Sequence, residues 1–151
     1  MASLRKTQHA AWHFVESERL TYADRPDRLR WGLKQNSAGG VALVGGDESV
    51  RQAVLLLLLT RRGERVMRPE YGCDLHRLIF APNNAATANI AIHYIRTALT
   101  QWEPRIDIVA LDASPDTYRP NVLQIELEYQ VRTTGHVEQL ALVLDLTGEN
   151  R

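Results

Sequence analysis

The run from Leu123 to Leu146, LQIELEYQVRTTGHVEQLALVLDL, decides the fold. Leu123, Ile125, Leu127, Tyr129 and Val131 alternate strictly with Gln124, Glu126, Glu128, Gln130 and Arg132. Leu140, Leu142, Leu144 and Leu146 repeat that period. A period of two puts one set of side chains on each face of a strand. A turn at Thr133 to His136, with Gly135 free to take positive φ, joins the two runs into a hairpin. Leu140, Leu142, Leu144 and Leu146 then face a core, and Gln139, Ala141, Val143 and Asp145 face outward. Just upstream, Ile106, Ile108 and Ala110 alternate with Asp107, Val109 and Leu111, which adds another strand. One dry face and one wet face mean an antiparallel sheet.

Helices precede the sheet. Asp47 can N-cap a helix running to Thr60, with Glu48 beside the positive end of its dipole. Val50 and the apolar run Ala53 to Leu59 make that helix apolar nearly all round, so it belongs in the centre. Gly63 suits a C′ position, and Arg61 and Arg62 suit the negative helix end. Cys73 to Phe80 reads as a short helix closed by Pro82. A longer helix spans about Ala86 to Trp102, capped by Asn84 and stopped by Pro104, with Ile90, Tyr94, Ala98 and Trp102 in one stripe and Ile95 beside them. The fold class is therefore α+β, with a central buried helix and a second long helix packed on a C-terminal antiparallel sheet that ends in a hairpin. Residues 1–38 differ. They are charged, broken by Pro26, and read as an N-terminal arm with a short helix near residues 4–18. Residues 39–151 form the domain, opening with a short strand, Val41 to Val44, between two glycine pairs.

Composition narrows the function. The 151 residues suit one domain with its own core. The 18 basic and 18 acidic residues cancel to a net charge of +0, which argues against a domain built to coat nucleic acid or an anionic membrane. The longest apolar run has seven residues, against the ~20 that span a bilayer, so no membrane contact is expected. A single cysteine, Cys73, gives no support to an oxidising compartment, and cytoplasmic synthesis is the default.

Candidate chemistry is sparse. Cys73 and His76 form a C-x-x-H pair, but zinc needs three or four ligands and no other histidine has matching spacing. The same pair as nucleophile and base lacks a third group to orient it. His9 and His13 stand four apart, and an exposed helical face is the better reading. Glu126 and Glu128 lie about 6–7 Å apart on one strand face, within the ~6.5–9.5 Å of an inverting glycosidase. Such enzymes flank the bond from two sides of a cleft, whereas these two carboxylates point the same way. The glycine pairs match no phosphate-loop pattern. Arg61, Arg62, Arg65 and Arg68 interleave with Glu64, Glu70 and Asp74, as in an ion-paired loop or a protein-partner surface. No metal, cofactor or catalytic residue is expected, and a binding or structural module is favoured over an enzyme.

Two separated stretches are distinctive: LLTRRGERVMRPEYGCDLHRLIFAPNN at 58–84 and TQWEPRIDI at 100–108, with the lead-in GGVALVGGDESVRQAV at 39–54. Together they resemble the baseplate wedge and sheath-initiator family of contractile phage tails, with relatives in phage-tail-like injection particles and type VI secretion baseplates. The resemblance covers about residues 39–147. It implies a structural protein present in several copies around the particle axis, clamped to baseplate wedge proteins near tail tube or hub proteins, and presenting strands on which a sheath subunit assembles. Glu103, Pro104 and Arg105 match the family's wedge-contact motif. Thr60, Arg61, Gly63, Glu64 and Arg65 match Thr-Arg-x-Gly-Glu-Arg, and Arg68, Pro69 and Gly72 match Arg-Pro-x-x-Gly. Arg62 departs from the proline or lysine often found there. The first 30 residues exceed the compact phage form and lean towards an injection particle. Sheath docking by strand addition is expected at the outward edge position Val143. The family's "lysozyme-like" label keeps a cell-wall glycan hydrolase as the alternative.

Overall fold

The computed structural model describes residues 11–12, 37–39 and 43–148. Two short strands, β1 (Ala11–Trp12) and β2 (Leu43–Val44), pair antiparallel. Helix α1 (Asp47–Leu59) follows, then a 3₁₀ helix (Asp74–Leu78), helix α2 (Ala85–Trp102), and the strands β3 (Ile106–Pro115), β4 (Val122–Val131) and β5 (Val137–Asp145). The three long strands form one antiparallel sheet in the order β3-β4-β5, with both helices on one face. This is the expected α+β architecture. Ala11–Trp12 is a strand within the segment expected to be helical, and the rest of residues 4–18 lies outside the described residues, as do His9, His13 and residues 41–42.

The core follows the alternation of β4. Leu123, Ile125, Leu127, Tyr129 and Val131 are all buried, opposite Leu140, Leu142 and Leu144 of β5. Burying side chains of this size stabilises by roughly 1.5–3 kcal/mol each. Helix α1 fills the middle: from Ser49 to Leu59 none of its residues is exposed. The hairpin turn is tied to the start of α1. Thr134 Oγ1 donates to Asp47 Oδ1 at 2.8 Å, and His136 Nδ1 lies 2.7 Å from Asp47 Oδ2. Asp47 is thus the first helical residue and a tether, while Gly46, at φ 66°, takes the N-cap position expected of Asp47.

Four other expectations shift. Helix α1 ends at Leu59, and Thr60 is extended, so Gly63 sits in the following loop and not at C′. Arg62 pairs with Asp74 at 3.3 Å and does not serve the helix end. The buried stripe of α2 is Ala88, Ala91, Ile95, Ala98 and Leu99, while Ile90 is 42% exposed. Small alanines let α2 approach its neighbours closely, which four-residue spacing of large side chains does not reveal. Asn84 caps α2 as expected, its side chain accepting from the Thr87 N–H at 3.0 Å. In β3 the register shifts between Ile108 and Ala110, so Val109 is an extra, bulged residue. Ala110 therefore turns out and Leu111 turns in, reversing the simple alternation.

The β3–β4 turn is built on one carboxylate. Asp116 accepts from the N–H groups of Tyr118 and Arg119, from the Arg119 guanidinium and from the Gln124 amide. These donors, the Tyr118 N–H foremost, hold its pKa down to about 2.

Leu57 is 1% exposed in α1. Leu57→Asp should lower stability by about 4 kcal/mol, because an unpaired carboxylate would enter an apolar site. Urea denaturation measures this, and an unchanged midpoint would mean that this face of α1 is not the core.

Candidate partner interface

The arginine-rich segment after α1 folds into a closed loop. Thr60 O accepts from the Cys73 N–H at 2.8 Å, Arg61 bridges Cys73 in parallel, and the Gly63 N–H donates to Pro69 O at 2.7 Å. Gly72, at φ 129°, makes the closure possible: a Cβ there would meet Thr60 O at 2.5 Å. The Arg61 N–H donates to Glu64 Oε2 at 3.1 Å, and the Glu64 N–H donates to Arg61 O at 3.2 Å. At the tip, Val66 and Met67 are more than nine-tenths exposed. An apolar tip framed by arginines is a surface suited to a protein partner.

The loop leans on the corner between α2 and β3. The Arg65 guanidinium lies 4.2 Å from the centre of the Tyr71 ring. Tyr71 in turn packs edge-on against Trp102, with centroids 5.5 Å apart. Beside Trp102, Glu103 is 5% exposed and grips Arg105 with both oxygens, Nε to Oε1 at 2.5 Å and Nη2 to Oε2 at 2.6 Å. Tyr71 feels all three charged groups: burial raises its phenol pKa, and Arg65, Glu103 and Arg105 modify it through space. The hydrogen bond to Glu103, foremost, raises the Arg105 pKa.

The loop bearing Arg61, Glu64, Arg65 and Arg68 thus reaches the corner Glu103–Pro104–Arg105 through Arg65 and the Tyr71–Trp102 contact. Sequence spacing gives no sign of that contact. Arg105 is held by Glu103, two residues away in its own chain. A chain turning at Pro104 brings the two together, a geometry outside helical or strand spacing. Val143 stands elsewhere, on β5, across the sheet from β3.

The edges of the sheet differ. The Val131 N–H donates to His136 O, and the Leu146 N–H donates to Asn121 O, so β4's odd residues pair with β5. Strict antiparallel alternation then turns the N–H and C=O groups of Gln139, Ala141 and Val143 to the open side of β5. Its pairing with β4 has no bulge, and the strand has no proline. By contrast β3 carries the Val109 bulge and Pro115, devices that blunt an edge. Among the described residues, no strand pairs with the outer edge of β5.

The candidate chemistry sites look different in three dimensions. Cys73 is buried, and burial pushes its thiol up to about 11, the reverse of an activated nucleophile. His76 Nδ1 is buried without a hydrogen-bond partner. Among the described residues no group of three possible metal ligands converges. On the sheet face away from the helices, Glu126 is exposed between Asp112 and Ala141, and Glu128 is half-buried between Ala110 and Gln139.

Fold and surface together define a small α+β module with an arginine-rich loop, a rigid corner and, among the described residues, an unpaired strand edge at its surface. Residues 44–136 match the baseplate wedge protein gp25 family, and the chain belongs to that family. It is 33% identical over 100 residues to the baseplate wedge protein gp25 of Enterobacteria phage T4, covering 66% of this chain and 75% of that one. A Geobacter sulfurreducens protein that carries a tail-lysozyme name has a similar crystal structure, with 34% identity and a TM-score of 0.65 over 72% of this chain and 97% of that chain. A chain of the anti-feeding prophage baseplate shares the fold at 23% identity and a TM-score of 0.56, over 76% of this chain and 81% of its own.

The corner supports a direct test. Arg105→Ala would leave Glu103 as a buried, unpaired carboxylate. A loss of about 2–3 kcal/mol is expected, less than for a fully buried pair because Arg105 is 30% exposed. Glu103→Gln in the same background should recover part of the loss by removing the stranded charge. Thermal melts of the single and double variants measure both, and an Arg105→Ala melt equal to wild type would show that the pair does not hold the corner.

Proposed function

We propose that this chain is a non-catalytic structural subunit of the baseplate of a contractile tail or tail-like injection particle. It is made in the cytoplasm and assembled in several copies around the axis, next to tail tube or hub proteins. The loop bearing Arg61, Glu64, Arg65 and Arg68 and the corner Glu103–Pro104–Arg105 clamp it to wedge proteins. Because Arg105 is already paired with Glu103, the corner acts as a preformed shape with exposed arginine donors, not as a free cation. The first sheath subunit adds a strand to β5.

The observation that carries this reading is the edge of β5, with outward main-chain groups and neither bulge nor proline to block pairing. Main-chain hydrogen bonds supply affinity in strand addition, and alternate side chains supply specificity. A bare edge left without a partner would be an aggregation hazard. The hydrolase alternative draws support from the tail-lysozyme name of the Geobacter relative. Against it, Glu126 and Glu128 project the same way from one strand, and among the described residues they do not flank a cleft from two sides.

Val143→Pro is the test. Its N–H points away from β4, so proline there removes a docking donor and leaves the internal ladder whole. Folded Val143→Pro protein, verified by circular dichroism, should enter baseplates that start no sheath, while Val143→Thr starts one normally. Negative-stain microscopy reads the outcome. Sheathed particles from folded Val143→Pro and from folded Ala141→Pro would mean that the sheath docks elsewhere.

A further inference from the structure

The other edge of the sheet holds a second slot. A groove of about 550 Å³ runs between the last turns of α2 and the start of β3. Leu99, Ile106 and Ile108 contribute apolar lining, and Arg96 and Thr100 line it from α2. Main-chain direction here is fixed from two sides. The Arg132 N–H donates to Arg105 O, which makes Asp107 the next residue paired with β4. Val131 and Tyr129, opposite Ile106 and Ile108, have their main-chain groups turned to β5. The C=O of Ile106 and the N–H and C=O of Ile108 therefore point away from β4, along the groove. The Val109 bulge ends this open edge after about 10 Å, at ~3.3 Å per residue.

Charge selects the occupant. Glu103 is committed to Arg105, and Asp107 to Arg132 through two hydrogen bonds, at 2.9 and 2.5 Å. Arg96 is exposed, and among the described residues no carboxylate pairs with it. A slot with three main-chain hydrogen-bonding groups, an aliphatic wall and one unpaired cation fits an extended polypeptide with a carboxylate. Strand-beside-helix grooves of this kind bind peptides by strand addition, and the volume lies within the usual ~300–1,000 Å³ of a binding pocket.

We propose that the groove between α2 and β3 receives a short extended segment of a neighbouring baseplate protein, paired with Ile106 and Ile108 and carrying an acidic side chain that meets Arg96. The inference rests on the baseplate reading for the source of the segment, and it is independent of sheath docking at β5. A bulge that limits pairing to three residues suits a clasp, whereas the unbroken β5 edge suits a full strand.

Hydrogen exchange on the full chain, free and within assembled particles, separates the two edges. In the free chain the Ile108 and Val143 amides should both exchange fast. In the particle Ile108 should slow at least tenfold while Asp107, already bonded to β4, changes little. Arg96→Glu and the groove-filling Thr100→Trp should each cut incorporation at least fivefold with an unchanged melting temperature. If Arg96→Glu melts early, Arg96→Gln takes its place with the same expectation. Slowing at Val143 but not at Ile108 overturns the groove proposal and leaves the sheath reading standing. Slowing at Ile108 alone supports the groove and overturns the sheath reading. Incorporation of both folded groove variants at the wild-type level also overturns the proposal.

Discussion

The register of β4 is the constraint on which the rest depends. It is the middle strand, so both of its main-chain sides are used: odd residues bond to β5 and even residues to β3. Its odd side chains are also the ones buried against the helices. A slip of one residue would turn Gln124, Glu126 and Glu128 into the core, at a cost far above the stability of a domain this size. Because the slip is forbidden, the direction of every unpaired main-chain group on β3 and β5 is fixed as well. The hydrophobic pattern of one strand thereby decides which backbone atoms face outward at either edge of the sheet.

The second constraint is the corner after α2. Proline at 104 stops the helix, and the Glu103–Arg105 pair closes the turn over a site with little solvent. Breaking such a pair strands a charge, so both partners are needed together. The corner in turn supports the arginine loop through Trp102 and Tyr71, and Gly72 closes that loop where no Cβ fits. For the clamp proposed above, rigid presentation matters, since ordering a loop on binding would subtract from affinity.

Much of this was legible in the sequence because its signals are periodic. The strict alternation of β4 and β5 specifies two strands, their inward faces and the hairpin between them, and the apolar run of α1 specifies a buried helix. The errors fall where period fails. The Val109 bulge inserts a single residue and leaves no compositional mark, so Ala110 and Leu111 exchange faces. The α2 stripe is rotated because close packing there uses alanines. The Arg105 partner is two residues away around a proline, and the Tyr71–Trp102 contact joins distant segments. Which strand lies at the edge depends on sheet order, which alternation cannot give. The loop and corner residues are legible as motifs and Val143 as an outward position of an alternating strand, and the structure adds the Tyr71–Trp102 contact that joins loop to corner.

The central claim is that β5 is completed by a strand from another protein. A reconstruction of the assembled particle by electron microscopy, at a resolution that traces main chain, tests it most directly. The account predicts a fourth strand from a sheath subunit beside β5, with the N–H and C=O of Val143 within about 3 Å of its main chain. A three-stranded sheet whose β5 edge faces solvent in sheathed particles would contradict it.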